Sequence, residues 1–182
     1  MTTPPHRQHG TPSQPPPGSA ESAAAAPSPA PDAEAITIRR ATVDDIPAIV
    51  AMLADDHLGA LRENPDEPDA YRPAFDRLDA DPNQYLVVAE HEGRTVGTLQ
   101  LTLIPGLSRF GATRAQIEAM RVHSEFRGGG MGARLIEWAA AEARRQGCVL
   151  LQLTSDATRV DAHRFYERLG FEASHLGFKL HL

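Results

Sequence analysis

Residues 122–133 read Val-His-Ser-Glu-Phe-Arg-Gly-Gly-Gly-Met-Gly-Ala, and the way this stretch folds decides the fold of the rest. An apolar, strand-like run over residues 117–122 gives way to Arg127 and a burst of glycines, and a helical pattern starts at once. Lacking a Cβ, glycine lets the backbone turn sharply and bring its N–H groups against a ligand. The first turn of the following helix leaves N–H groups without intrahelical partners, and its dipole favours negative charge. Arg127 adds a forked, permanently charged donor. A corner of this kind binds phosphate, so the stretch predicts a phosphorylated ligand.

Three phosphate-binding patterns compete for these glycines. A P-loop requires Gly-x-x-x-x-Gly-Lys-Ser/Thr, and no lysine follows here. A dinucleotide fingerprint can be laid over Gly128-x-Gly130-x-x-Ala133, with Asp156 downstream where a ribose-binding acid belongs. Its turn, however, comes tightly off a strand, whereas residues 123–126 separate Val122 from Arg127, and little chain after Asp156 remains for further βαβ units. The third pattern is Arg127-x-x-Gly130-x-Gly132, a match to Q/R-x-x-G-x-G/A. A second block, Asp161-Ala-His-Arg-Phe-Tyr-Glu-Arg-Leu-Gly-Phe171, matches A-x-x-F/L-Y-x-x-x-G-F.

On these two blocks, in order and separated by a helix and a strand, residues 36–182 resemble the GNAT superfamily of acyl-CoA-dependent N-acetyltransferases. The run from Asp161 to Tyr166, followed by Ser174-His175, is most similar to the aminoalkylphosphonate N-acetyltransferases within it. The resemblance implies a GNAT fold: α/β, a mixed and mostly antiparallel central sheet, helices on both faces, and a splayed strand pair at the acyl-CoA site. It also implies acetyl-CoA as cosubstrate and a small amine, one carrying an anionic group, as acceptor. Relatives are often homodimers. A peptide N-terminus as acceptor, or a non-catalytic acyl-CoA-binding module, are the alternatives.

The ends of the chain differ in composition. Residues 1–35 hold nine of the fifteen prolines, eight alanines, four serines and no aromatic residue. Such a segment cannot bury enough apolar surface to offset the entropy of ordering it, which predicts a disordered tail ahead of a domain over residues 36–182. The tail has neither the apolar core nor the basic start of an export signal. Nothing approaches the length of a transmembrane helix. A net charge of −6 argues against a nucleic-acid surface, which needs clustered Lys and Arg. The single Cys148, inside an apolar run, excludes an intrachain disulfide and suits a reducing cytoplasm. Buried there, its thiol is expected to be inert.

Periodicity supplies the elements. Residues 36–39 alternate as a strand, and Thr42-Val-Asp-Asp45 reads as a capping box before a helix carrying Ile46, Ile49, Val50 and Leu53. A second helix is expected over residues 73–79, and strands over 85–90 and 95–104 joined by the turn 91–94. A strand over 115–122, a helix from Met131 stopped by Gly147, a strand over 149–153 and a helix over 161–169 follow. Residues 178–182 read as a last strand. The order is β-α-α-β-β-β-α-β-α-β, a mixed sheet with packed helices.

The resemblance assigns roles. Backbone donors around Arg127, Gly128, Gly129, Gly130, Met131, Gly132 and Ala133 would hold the diphosphate of acetyl-CoA. Free backbone groups at Met120 and Val122, on a strand splayed by a bulge, would hold the pantetheine arm and the acetyl carbonyl. The Met120 N–H would act as an oxyanion donor, a role typically worth about 3 kcal/mol. Glu118 lies in Ile-Glu-Ala-Met-Arg-Val, similar to the corresponding strand of glucosamine-phosphate and polyamine acetyltransferases, and is the candidate base; otherwise it is a solvated strand residue. Plain alternation would set Glu118 on the same side as Met120. Many relatives carry the acid two positions earlier, where this chain has Gln116. Tyr166 matches the family tyrosine that protonates the leaving sulfur, the other reading being a core tyrosine against Phe165. Arg159 replaces a common Asn and is either a phosphate or substrate contact or a surface charge. Arg109 and Arg114 either bind a substrate anion or are loop charges. No spacing of His163, Asp161, His123 or His175 suggests a metal site.

Overall fold

Every position from 85 to 89 is apolar, the composition of a strand covered on both faces, and that strand lies inside the sheet. The computed structural model describes residues 36–55, 59–180 and 182. Five strands, β1 (Ile36–Arg40), β2 (Gln84–His91), β3 (Arg94–Ile104), β4 (Arg114–Val122) and β5 (Leu150–Leu153), lie side by side in chain order. The first four are antiparallel, and β5 runs parallel to β4. The helices are α1 (Ile46–Ala54), α2 (Arg72–Ala80), α3 (Met131–Arg145) and α4 (Val160–Arg168). Between β2 and β3, Glu92 and Gly93 both take positive φ, 50° and 76°, the turn whose twist matches that of paired strands.

The pleat sorts the core into two layers. Val87, Ala89, Leu99, Leu101, Ala115 and Ile117 pack under Leu135, Ile136 and Ala139 of α3. On the other face Val88 meets Ala41 and Ile49, with Leu53 of α1 and Phe75 of α2 against them. Helices therefore cover both faces, as the family resemblance implies.

Asp45, only 5% exposed, ties β1 to α1. Its carboxylate accepts from both terminal nitrogens of Arg39 at 2.7 and 3.0 Å, from the Thr42 N–H at 2.8 Å and from the Thr95 hydroxyl at 2.8 Å. Burial opposes the charged form, but these donors outweigh it and bring the pKa from an ordinary 3.8 down to about 2. A depressed acid stabilises the fold above its unfolded pKa, so the contribution is complete above about pH 4 and is lost as pH falls through 2. Asp45→Asn is expected to cost about 2 kcal/mol at pH 7 and to flatten the acid dependence of urea unfolding between pH 4 and pH 2. An unchanged acid slope would exclude this network as its source.

Opposite Glu118 stands Gln100, and opposite Arg121 stands Thr98, so β4 carries one residue more than β3 between these pairs. The bulge falls at Ala119, whose φ is 52°. A bulge shifts the alternation of everything beyond it. Ile117, Met120 and Val122 all contribute to the layer under α3, while Glu118, hydrogen-bonded to Gln116, faces the opposite layer. The expectation that Glu118 and Met120 share a side is thus corrected: alternation holds to residue 118 and reverses at Ala119.

The expected last strand is a second correction. No strand is present from 171 to 180, and Leu176, Phe178 and Leu180 are 86%, 92% and 86% exposed. The alternating pattern is there, but no partner strand within this chain's described residues meets it. The expected disordered tail, residues 1–35, lies outside the described residues.

Candidate active site

The glycine corner leads from β4 into α3. A short 3-10 turn, Ser124–Phe126, is followed by Gly128 and Gly130 at φ 80° and 83°, left-handed values that cost other residues roughly 1 kcal/mol or more. Gly130 is the cap residue of α3, and the first turn of that helix holds no acidic side chain. Its unpaired N–H groups therefore face no carboxylate of their own turn, and Gly128, Gly129 and Gly130 are exposed. Gly132 is required for a different reason: a Cβ there would come within 3.1 Å of the Phe165 ring, so its absence lets α4 close on α3. Met131 is buried in the core and Ala133 half-buried beside it.

β5 ends at Leu153, paired with Ile117. Beyond that pair, residues 118–122 of β4 have no strand neighbour among the described residues on the side away from β3, and the two strands part. Two arginines hold carbonyls on this open stretch. Arg121 donates to the Met120 oxygen at 3.0 Å, and Arg127 donates through Nε to the Val122 oxygen at 3.0 Å. Arg127 also reaches the Asp55 carboxylate at 2.6 Å, at the end of α1. The side chain of Arg127 thus braces the corner, and the glycine backbone is left exposed.

Tyr166 projects from α4, edge-on to Phe165 at 5.2 Å and to Phe171 at 5.9 Å between ring centres. Burial pushes its phenol above the ordinary 10, with the charges of Arg159 and Arg121 pulling partly back. The group is therefore a proton donor across neutral pH. Glu118 lies on the other face of β4 and accepts from the Gln116 amide, whose oxygen in turn accepts from Gln152 Nε2 at 2.7 Å.

The structure therefore brings Met120, Val122, Arg127 and the glycines to one end of β4, puts Tyr166 close enough to Arg159 and Arg121 to feel their charges, and sets Glu118 across the sheet. Arg109 and Arg114 are elsewhere. They line a depression at the start of β4, together with Ile104 and Val149, about 26 Å along the strand from Val122 at ~3.3 Å per residue. Three contributors escape a reading of the sequence. Asp55 and Gln152 are distant in sequence from Arg127 and Gln116, and only the tertiary register joins them. Arg121 sits within the quoted strand motif, but only the tertiary fold brings its charge within reach of Tyr166. Cys148 is half-buried and its thiol is raised by burial. Among the described residues no cluster of three or more His, Cys, Asp or Glu stands where it could hold a metal.

The sheet thus opens between β4 and β5 beside a glycine-capped helix. The acetyltransferase (GNAT) family profile matches residues 47–171, and the chain belongs to that family. An aminoalkylphosphonate N-acetyltransferase of Salmonella typhimurium is 32% identical over 141 residues, 78% of this chain and 88% of that protein. A glucosamine 6-phosphate N-acetyltransferase of Trypanosoma brucei brucei is 34% identical over 90 residues, half of this chain and 59% of that one. Among solved structures, a Bacillus halodurans C-125 protein described as a transcriptional regulator superposes with a TM-score of 0.78 at 48% identity, covering 81% of this chain and 99% of that one. The protein is an N-acetyltransferase by family, and no helix among the described residues is long and apolar enough to cross a membrane.

Proposed function

We propose that this protein transfers an acetyl group from acetyl-CoA to the primary amine of a small molecule bearing an anionic group. The observation that carries the reading is the exposed, glycine-lined start of α3 beside the unpaired end of β4. A diphosphate suits this corner: backbone donors at residues 128–133 face no carboxylate of their own turn, and no Cβ narrows the approach at positions 128–130. When bound, acetyl-CoA supplies an acetyl group activated as a thioester. The Met120 N–H is the donor proposed for the acetyl oxygen.

An alkylammonium is not nucleophilic, so the acceptor must first lose a proton. In this reading a carboxylate oxygen of Glu118 takes it, directly or through a water, with Gln116 and Gln152 fixing the carboxylate's orientation. Tyr166 Oη holds the proton that the departing sulfur needs. The bulge fits this division of labour, since Glu118 and Tyr166 would then approach the gap in β4–β5 from opposite faces of the sheet. The names of both relatives, an aminoalkylphosphonate and a hexosamine phosphate enzyme, support an acceptor that pairs an amine with a phosphorus oxyanion. A half-buried lone thiol and no membrane-crossing helix among the described residues fit work in a reducing, aqueous compartment.

The test is calorimetry with acetyl-CoA, followed by a panel of aminophosphonates, amino sugar phosphates, polyamines and peptides scored by free thiol release. Micromolar cosubstrate affinity and fastest turnover on a phosphonate- or phosphate-bearing amine are expected. Binding without thiol release from any amine would instead favour a non-catalytic acyl-CoA-binding module, the reading closer to the description of the Bacillus halodurans neighbour. Absence of binding would end both.

A further inference from the structure

The face of the sheet that carries Glu118 changes character along its length. At Leu86 and Val88 it is apolar and packs in one cluster with Ala41, Ile49 and Phe75. A little further along the strands it turns polar: Gln84 lies opposite Thr102, Thr102 opposite Gln116, and Gln116 opposite Gln152, a single rung across four strands. In the neighbouring rung Gln100 stands directly opposite Glu118. All six side chains are half-buried. A polar network withdrawn from water and only partly satisfied costs more than an apolar surface would, so the end it leaves unused marks a place for a ligand.

The hydrogen bonds single out that end. Gln152 donates to Gln116, which in turn donates to Glu118, so this half of the network spends its N–H groups on orienting the carboxylate. In the other half, Gln100 Nε2 donates to Gln84 Oε1 at 2.9 Å and lies 3.5 Å from Thr102 Oγ1, while the Thr102 hydroxyl donates to the same Gln84 oxygen at 2.8 Å. With its nitrogen anchored, the Gln100 amide has a fixed sense. Its carbonyl oxygen is turned away from Gln84 and accepts no hydrogen bond among the described residues. Side chains directly opposed on paired strands stand about 4.5–5.5 Å apart at Cβ. One ammonium nitrogen, with N···O distances of about 2.8 Å, can bridge such a pair.

We propose that Gln100 binds the acceptor amine, its Oε1 taking one N–H of the same nitrogen that gives a proton to Glu118. The proposal rests on the reading of Glu118 as the base. A primary ammonium carries three donors, and a single carboxylate does not fix its orientation; a second acceptor does. A neutral carbonyl supplies that second point without the added negative charge that would favour the protonated, unreactive amine. Gln84 and Thr102 act through Gln100, as positioning residues that keep its oxygen presented.

Steady-state kinetics on the full chain, with 2-aminoethylphosphonate and glucosamine 6-phosphate as probe amines and folding checked by circular dichroism, test this. Gln100→Met keeps the side-chain length and loses the carbonyl, so the amine KM should rise by about 10- to 100-fold while the acetyl-CoA KM stays within about twofold. Thr102→Val should raise the amine KM by about 2- to 10-fold, and should add nothing on top of Gln100→Met, because both act through one oxygen. Gln100→Glu keeps an acceptor and should restore the amine KM, but its extra charge should move the acid limb of kcat/KM up by about one pH unit or more. An unchanged amine KM in Gln100→Met overturns the proposal. So does an equal loss in both substrates' KM, or a Gln100→Glu variant whose amine KM is as poor as that of Gln100→Met. Should Gln100→Met not fold, the acid limb of Gln100→Glu decides, an unshifted limb counting against. A wild type that acetylates neither probe sinks the acceptor reading and this inference with it, whereas an active wild type with an unaffected Gln100→Met sinks only the role of Gln100.

Discussion

Tyr166→Phe is expected to lower kcat by about a hundredfold, close to 2.7 kcal/mol of barrier, while acetyl-CoA affinity stays within twofold. The substitution removes one oxygen and keeps the ring that packs edge-on against Phe165 and Phe171, so the melting temperature should scarcely move. The pH profile adds a second readout. Because burial raises the phenol pKa above 10, the wild-type rate should hold through pH 9 and decline only beyond that ordinary value, and this alkaline limb should vanish in the variant. Full turnover by Tyr166→Phe would eliminate the phenol as the acid and leave it as packing.

Glu118→Gln should cost kcat a comparable factor, within the range of 10²–10⁴ typical of a positioned acid or base. The isosteric amide can keep a hydrogen bond with Gln116, so the fold is retained while the proton acceptor is lost. Without an acceptor, turnover must rely on acceptor molecules that arrive already deprotonated, and the variant's rate should climb more steeply with pH than the wild type's. Single-turnover measurements at pH 7 and pH 9 would show the deficit shrinking. A parallel, pH-independent deficit would point to misplacement of the acceptor rather than to loss of a base.

Much of the fold is legible in residue type and spacing, for physical reasons. Left-handed backbone favours glycine, so Gly128 and Gly130 mark the corner before α3, and the apolar faces of α1 and α3 follow from helical spacing. The bulge is not legible, because an alanine at φ 52° looks in sequence like any other strand alanine. That single residue reverses the side on which Met120 lies relative to Glu118. The bond from Gln152 to Gln116 depends on the parallel register of β4 and β5, a choice that no local pattern encodes. The terminal run is strand-like in its alternation, but alternation alone does not say that this chain's own sheet leaves it unpaired.

The surplus residue in β4 has a bearing on how such an enzyme can change its habits. With it in place, side chains upstream of Ala119 on the Glu118 face look toward one layer, while those at Met120 and Val122 look toward the other. In the proposed mechanism the first group faces the amine and the second the donor, so a change at one need not disturb the other. Straightening the strand with Ala119 kept in the ladder would restore plain zigzag order, send the Met120 side chain to the Glu118 face, and merge two territories that the bulge keeps apart.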